Sequence, residues 1–249
     1  GVNDILALKE ADTSIAMASG SEAARNVSHL VLMDSNFASM PKVVSEGRRV
    51  INNIQKVSKL YLTKTLFTVL LSLIVIIRGL TGNDAIYPLK PSHLVIMELL
   101  VIGIPSFVIA LEYNGARITG KFLSKVLKDA LPGALVVGIN ALLIYSIAPS
   151  IGLNIKDAFG ERGISSLIGI SATAVAFMVL FTVSRPLNIR RGIMFFGTLT
   201  IALLAVILLP EALEYTPIFN IANVTSSANF QVPQILLLIV LLRIQIIVI

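Results

Sequence analysis

Six long apolar stretches follow one another in the last three-quarters of the chain, near 60–78, 92–112, 132–149, 164–183, 192–209 and 231–249. Each approaches the ~20 residues that an α-helix needs to cross the hydrocarbon core of a bilayer. In that medium every backbone N–H and C=O must be satisfied within the protein, so apolar runs of this length are constrained to be helices. The expected architecture over 60–249 is therefore a polytopic, mostly α membrane bundle of six spans. Composition agrees, since 55% of the 249 residues are hydrophobic and 14% are charged, where soluble domains carry about 25% charged residues. The chain has no Cys, which excludes disulfides, thiolate metal sites and cysteine-based catalysis. Its net charge of +6 does not point to nucleic acid, because the basic residues cluster beside the apolar spans.

Loop charges set a topology. Residues 113–131 carry Arg117, Lys121, Lys125 and Lys128, and 184–191 carry Arg185, Arg190 and Arg191. The opposite loops hold only Lys90, Lys156 and Arg162, while 210–230 has Glu211 and Glu214 and no basic residue. The positive-inside rule places the first set in the cytoplasm. Six spans then return the C-terminus to the side of the N-terminal segment, which the same rule makes cytoplasmic. Pro88 and Pro91 bracket the first turn between spans, and Pro132, Pro186, Pro210 and Pro233 mark other span ends, where proline starts or stops helices.

Before the spans the chain reads as soluble. Asn3-Asp4 precedes a short helix over Ile5–Ala11, Thr13–Ala18 is a short strand, Ser21–Asn26 is helical, and Leu30–Met33 is a second strand. This alternation fits the edge of an α/β domain, although 1–35 is too short to form one alone. Over 36–59, Phe37, Met40, Val43, Val44, Val50, Ile51, Ile54 and Val57 recur at helical spacing opposite Lys42, Glu46, Arg48, Arg49, Gln55, Lys56 and Lys59. That is an amphipathic stalk helix, and no breaker separates it from the first span.

Taken together, Gly1-Val2-Asn3-Asp4, Ala11-Asp12, Ile15-Ala16-Met17, Ser19-Gly20-Ser21-Glu22-Ala23-Ala24, Leu32-Met33-Asp34, Asn36-Phe37, Glu46-Gly47-Arg48 and Asn52-Asn53-Ile54 resemble the hinge motif and stalk of the P-type ATPases. These ion pumps belong to the haloacid-dehalogenase-like phosphotransferases. The resemblance implies that 1–35 is the C-terminal edge of the phosphorylation domain and that the spans are the last six membrane helices. It also implies an ATP-driven cation pump that forms an aspartyl-phosphate, with Mg²⁺ and ATP as cofactors of the full-length protein. Asn3 and Asp4 match the end of the family's Gly-Asp-Gly-Val-Asn-Asp motif, beside Mg²⁺ and the phosphoryl group, with Asp4 near the metal rather than its main ligand. The phosphorylated Asp in its Asp-Lys-Thr-Gly-Thr context does not occur in the sequence. The expectation is a fragment that binds neither cofactor and is inactive without the N-terminal part of the same pump. The expected setting is integral, in the plasma membrane of a bacterium, with membrane lipid and the transported cation as partners.

Ionisable groups inside a bilayer cost about 2.5–3.5 kcal/mol on insertion scales and are functional candidates by default. Glu98 is the one carboxylate well inside a span, followed by Gly103 and Pro105, which weaken the helix. Carbonyls freed there are expected to join Glu98 as hard oxygen ligands. Gly103-Ile104-Pro105 is similar to the Gly-Leu-Pro of the sixth membrane helix of cation pumps. Where calcium and sodium pumps place Asn, Thr and Asp, this chain has Glu98, Val101 and Ile102, so the Asp is missing. In the first span Thr65 and Thr68 align with ligand positions of calcium pumps. Lys64 either snorkels to the headgroups or faces the bundle as a counter-charge to Glu98, and the expectation is that Glu98 turns inward toward Thr65, Thr68 and Lys64. His29 and His93 read as a surface residue and an outer-interface residue. Arg243 falls near the middle of the last span, which means either packing inside the bundle or an altered C-terminus. Two other classes stay open: a lipid flippase of the same superfamily, many of which also carry a Lys in the first of these spans, and a non-catalytic membrane scaffold.

Overall fold

The computed structural model describes residues 2–83, 86–151, 153, 158–216 and 232–248. The chain divides into two compact units, one of Gly1–Val50 with Gly115–Arg117 and the other of Ile51–Asn114 with Ile118–Ile249.

The first unit is a short α/β piece. A 3-10 turn Val2–Asp4 leads into helix α1 (Ile5–Glu10), strand β1 (Ile15–Met17), helix α2 (Glu22–Val27) and strand β2 (Leu30–Leu32). The strands pair in parallel, with Ile15 opposite Leu30 and Met17 opposite Leu32. A parallel pair requires a crossover, and α2 supplies it. The Ser21 hydroxyl caps α2 by accepting from the Ala24 N–H at 3.2 Å. Arg25 donates back to the carbonyls of Ala18 and Gly20 at 2.8 and 2.5 Å, holding the β1–α2 turn. Ala16, Ala24 and Leu32 are the buried hydrophobic side chains here. His29 is exposed, as its sequence context suggests, and its Nδ1 lies 2.8 Å from the Ser14 hydroxyl.

Stalk and first span form one unbroken helix, α3 (Met40–Leu80), about 60 Å long at 1.5 Å per residue. The second span is composite: α4 (Pro91–Ile96), a π-helical segment (Met97–Gly103) and α5 (Ile104–Leu111). The remaining helices are α6 (Phe122–Ile147), α7 (Ala158–Ser184), α8 (Ile189–Leu208) and α9 (Val232–Val248). Five helices among the described residues are long and apolar enough to cross a membrane, so the molecule is a mostly α, integral membrane bundle. The sixth expected span falls on α9, of which 17 residues are helical, about 25 Å, and whose ends border residues outside the description.

The bundle is organised round α7, 78% of whose span is buried against 22% for α3 and 28% for α8. Gly133 on α6 explains the closest approach. A Cβ there would lie 3.0 Å from Cγ2 of both Thr63 and Val179, so α3, α6 and α7 meet where one side chain is missing. Gly169 plays the same part for Tyr215, whose Cε1 would be 3.1 Å from an added Cβ.

The structure bears on three further expectations. Pro132 does not end a loop but lies inside α6, which begins ten residues earlier. Lys125 and Lys128 are therefore helical. The physical reason is that Val126 and Ala130 are buried on the face that continues the span, and this packing outweighs the one backbone bond that proline removes. For Arg243, where two alternatives stood open, the residue is exposed, which does not support packing inside the bundle. His93, read as an outer-interface residue, is 1% exposed, with its ring stacked on Tyr215 at 4.5 Å.

Candidate functional site

Proline at 105 has no N–H for the carbonyl four residues back, and its ring crowds that turn. The chain answers by widening. The Ile104 N–H reaches the Leu99 carbonyl, an i to i−5 bond, and Met97–Gly103 becomes π-helical. Glycine at 103 suits this geometry, since a Cβ would lie 3.0 Å from the Glu98 carbonyl oxygen and would force a small shift. The expected weakening near Gly103 and Pro105 thus takes the form of a π segment, a feature frequent at functional sites.

Glu98 sits in the first turn of that segment, and its carboxylate forms an ion pair with the Lys64 ammonium of α3. The structure brings these two together. It does not turn Glu98 into the bundle of this chain, because 54% of the Glu98 side chain is exposed, against 25% of Lys64. Thr65 and Thr68 do not join the pair. Their hydroxyls donate to the carbonyls of Tyr61 at 3.0 Å and Thr65 at 2.8 Å, as helical threonines do when their oxygen turns back on the preceding turn. Pro105 is buried and Gly103 exposed. In the first unit, Asn3 and Asp4 lie exposed in the 3-10 turn, and the Asp4 side chain does not cap α1. Asp4 offers a single carboxylate, and no cluster of three or more His, Cys, Asp or Glu gathers among the described residues. A hard cation wants about six oxygens, so the residues present do not by themselves fit Mg²⁺.

A second ion pair escaped the sequence reading. Glu112, at the C-terminus of α5, meets Arg191, in the first turn of α8, with both side chains 9% exposed. Arg191 Nε donates to Glu112 Oε2 at 2.5 Å, and Asn188 Nδ2 donates to Oε1 at 3.0 Å. Nη1 of Arg191 spans the carbonyls of Ser184, Arg185 and Pro186 at 3.1–3.3 Å, satisfying acceptors that the end of α7 leaves open. Asn53 on α3 donates to the Glu112 carbonyl at 2.7 Å and Asn52 to the Asn114 carbonyl at 3.1 Å. Burial pushes the Glu112 carboxyl up, but the hydrogen bonds from Arg191 and Asn188 and the charges of Arg191 and Lys56 outweigh it and hold the group below its ordinary value. The one available signal was an acid at the last position of an apolar span, facing a loop rich in arginine.

At the opposite end of the bundle the segment after α8 folds back over α4 and α7. Tyr215 is buried, which pushes its phenol up to about 12. Ser92 donates to the Glu214 carboxylate at 2.7 Å, Arg162 to Glu211 at 2.9 Å, and the Thr216 N–H to the Ser166 hydroxyl at 2.7 Å.

The carboxylate–ammonium pair thus joins two helices that are long and apolar enough to cross a membrane. The chain is 36% identical over 226 residues to the calcium-transporting ATPase CtpE of Mycobacterium tuberculosis, covering 89% of this chain and 26% of the relative. It is 47% identical over 153 residues to CtpE of Mycolicibacterium smegmatis, covering 59% and 19%. A probable cation-transporting ATPase of Streptococcus pneumoniae, exp7, is 37% identical over 194 residues, covering 77% and 24%. The chain belongs to the P-type ATPases. No protein-family model matches it. The chain spans between 19% and 26% of the length of these relatives. As a P-type ATPase it represents the membrane portion, and the Lys64–Glu98 pair lies within that portion.

Proposed function

We propose that the chain is the transport half of an ATP-driven cation pump, with 1–35 the edge of its phosphorylation domain, 36–59 the stalk and 60–249 the membrane domain, oriented with the stalk side in the cytoplasm. The observation that carries this reading is the Lys64–Glu98 pair on the π segment. A carboxylate inside a span is costly unless neutralised, and the Lys64 ammonium neutralises it when no cargo is present. A cation arriving at Glu98 competes with Lys64 for the same oxygens, so binding releases the ammonium and departure restores it. Carbonyls of the π segment, where the Ile104 N–H bonds to Leu99 and not in α-helical register, are proposed as the further oxygens. Cargo is proposed as a cation because the relatives named above are calcium- or cation-transporting by name, and calcium is the first ion to try. The same names favour a cation over a lipid cargo.

In the full-length protein, Asp4 and Asn3 would lie beside the phosphoryl group, where Mg²⁺ supplies neutralisation of the charge that develops during transfer. Asp4 contributes one carboxylate to that environment and Asn3 an amide donor without added negative charge. This stretch alone, lacking the phosphorylated Asp, is proposed to be inactive.

The test is ATP hydrolysis by the full-length protein in vesicles, titrated with calcium, with monovalent cations and with phospholipids. Stimulation by a cation, with the half-maximal concentration raised in Glu98→Gln, is the expected result. Stimulation by phospholipid alone would make the protein a flippase, and hydrolysis by none of them would favour a scaffold.

A further inference from the structure

The first ten residues of α6 form a surface with no role in the pump reading. α6 has 26 residues, about 39 Å of helix, whereas the hydrocarbon core is ~30 Å thick. Roughly six residues must therefore stand in the headgroup layer. Charge decides which end. Lys121, Lys125, Lys128 and Asp129 all fall at the start, and no charged residue occurs from Ala130 to Ile147.

The rotation of this stretch is fixed. Val126 and Ala130 are buried against the bundle. At ~100° per residue the three lysines share an arc of about 60° that points away from that buried face, and all three are exposed. Leu123, Leu127 and Leu131 form an adjoining exposed stripe. Asp129 lies on the other flank, within electrostatic reach of Lys59. Cations in the first turns oppose the helix macrodipole, so the lysines do not stabilise α6 itself. An ammonium row beside a leucine row gives this flank of the helix both groups that a bilayer surface takes, cations for phosphate and apolar side chains for acyl chains.

We propose that the Lys121–Leu131 segment is a docking surface for anionic phospholipid headgroups, selecting them over zwitterionic ones at this edge of the bundle. The chain has no Trp, so a single reporter can be placed at will. Leu127→Trp in the full chain, reconstituted in mixed vesicles, would be quenched by brominated phosphatidylglycerol or brominated phosphatidylcholine. Leu203→Trp, on the exposed face of α8, serves as control. The expected result is a preference for phosphatidylglycerol of roughly five-fold or more at Leu127→Trp and none at Leu203→Trp. Combining Lys121→Gln, Lys125→Gln and Lys128→Gln should abolish the preference, the three Arg replacements should keep it, and high salt should weaken it. Unchanged quenching of the Leu203→Trp reporter shows that each variant is still inserted. Equal ratios at the two reporters, or a preference that survives the triple Gln change, would overturn the proposal. Loss of the preference on adding inorganic phosphate at constant ionic strength, where chloride has no such effect, would also overturn it, in favour of a free anion.

Discussion

The second span carries one carboxylate, Glu98, and a second, Glu112, caps its end; each faces a cation from another helix, and their surroundings are opposite. Glu112 is 9% exposed and its oxygens are taken by Arg191 and Asn188. Arg191 in turn is spent on three carbonyls at the end of α7. Glu98 is 54% exposed and pairs with Lys64. Arginine offers a planar fork of donors that suits the first arrangement, whereas lysine is a compact point charge on a flexible stem that suits the second. A closed, fully satisfied pair cannot exchange its partner without leaving a buried charge. An open pair can. The comparison separates a joint that holds helices together from a pair whose partner is replaceable.

The largest effect should come from breaking the closed pair. Arg191→Met strands the Glu112 carboxylate, and loss of one member of a buried pair costs about 3–5 kcal/mol. Thermal unfolding of the purified chain in detergent should show it, and combining Arg191→Met with Glu112→Leu should recover much of the loss. Equal stability of Arg191→Met and the native sequence would break the comparison. The same pair predicts an acid limb. The Glu112 carboxyl lies below its usual 4.5 when folded, so its contribution is complete above that value and is lost as pH falls through the folded one. Stability should therefore drop on acidification below about pH 4.5, and the Arg191→Met variant should lack that part of the slope.

A smaller effect is expected at the π segment. Gly103→Ala places a Cβ 3.0 Å from the Glu98 carbonyl oxygen, tighter than a backbone oxygen tolerates without moving. Overpacking of this kind costs about 1–3 kcal/mol. Because the displaced atom belongs to Glu98, ion dependence of the full-length ATPase should change along with stability. A variant that loses stability with unchanged ion dependence would detach the π geometry from transport.

Periodicity and breakers carried most of the fold. The strands, α2, the stalk and the spans over Pro91–Leu111 and Ile189–Leu208 all lie where apolar spacing and turn residues place them. The start of α6 was hidden because Lys121, Lys125 and Lys128 read as a basic loop and Pro132 as its end. Yet Leu123, Val126, Leu127, Ala130 and Leu131 already hold a helical period. Of the site, Glu98, Lys64, Gly103 and Pro105 were legible as polar or helix-weakening residues in an apolar run. The exclusion of Thr65 and Thr68 was not, because a hydroxyl's choice between its own helix and a neighbour depends on rotamer and not on spacing. Glu112 and Arg191 lie far apart in sequence, and nothing local in either residue announces the other.

The smallest effect on stability should come from the open pair, and this is where the comparison is most exposed to refutation. Glu98→Gln removes the carboxylate and leaves a lysine whose stem can carry its ammonium to the headgroups, so it should unfold nearest the native chain, whereas Lys64→Met leaves a carboxylate unpaired inside the span and should cost more. Both should also show an effect in function. Glu98→Gln removes the anion that cargo and Lys64 share, and should raise the cation concentration for half-maximal ATPase activity of the full-length protein. Lys64→Met removes the competitor and should shift the same concentration, in the direction of tighter binding if the ammonium is what cargo displaces. Thr65→Val supplies the control, because its hydroxyl is already committed to the Tyr61 carbonyl. It should leave both stability and ion dependence unchanged. If Glu98→Gln destabilises as strongly as Arg191→Met, the two pairs are the same kind of structural joint. If it leaves ion dependence unchanged, Glu98 is not on the transport path.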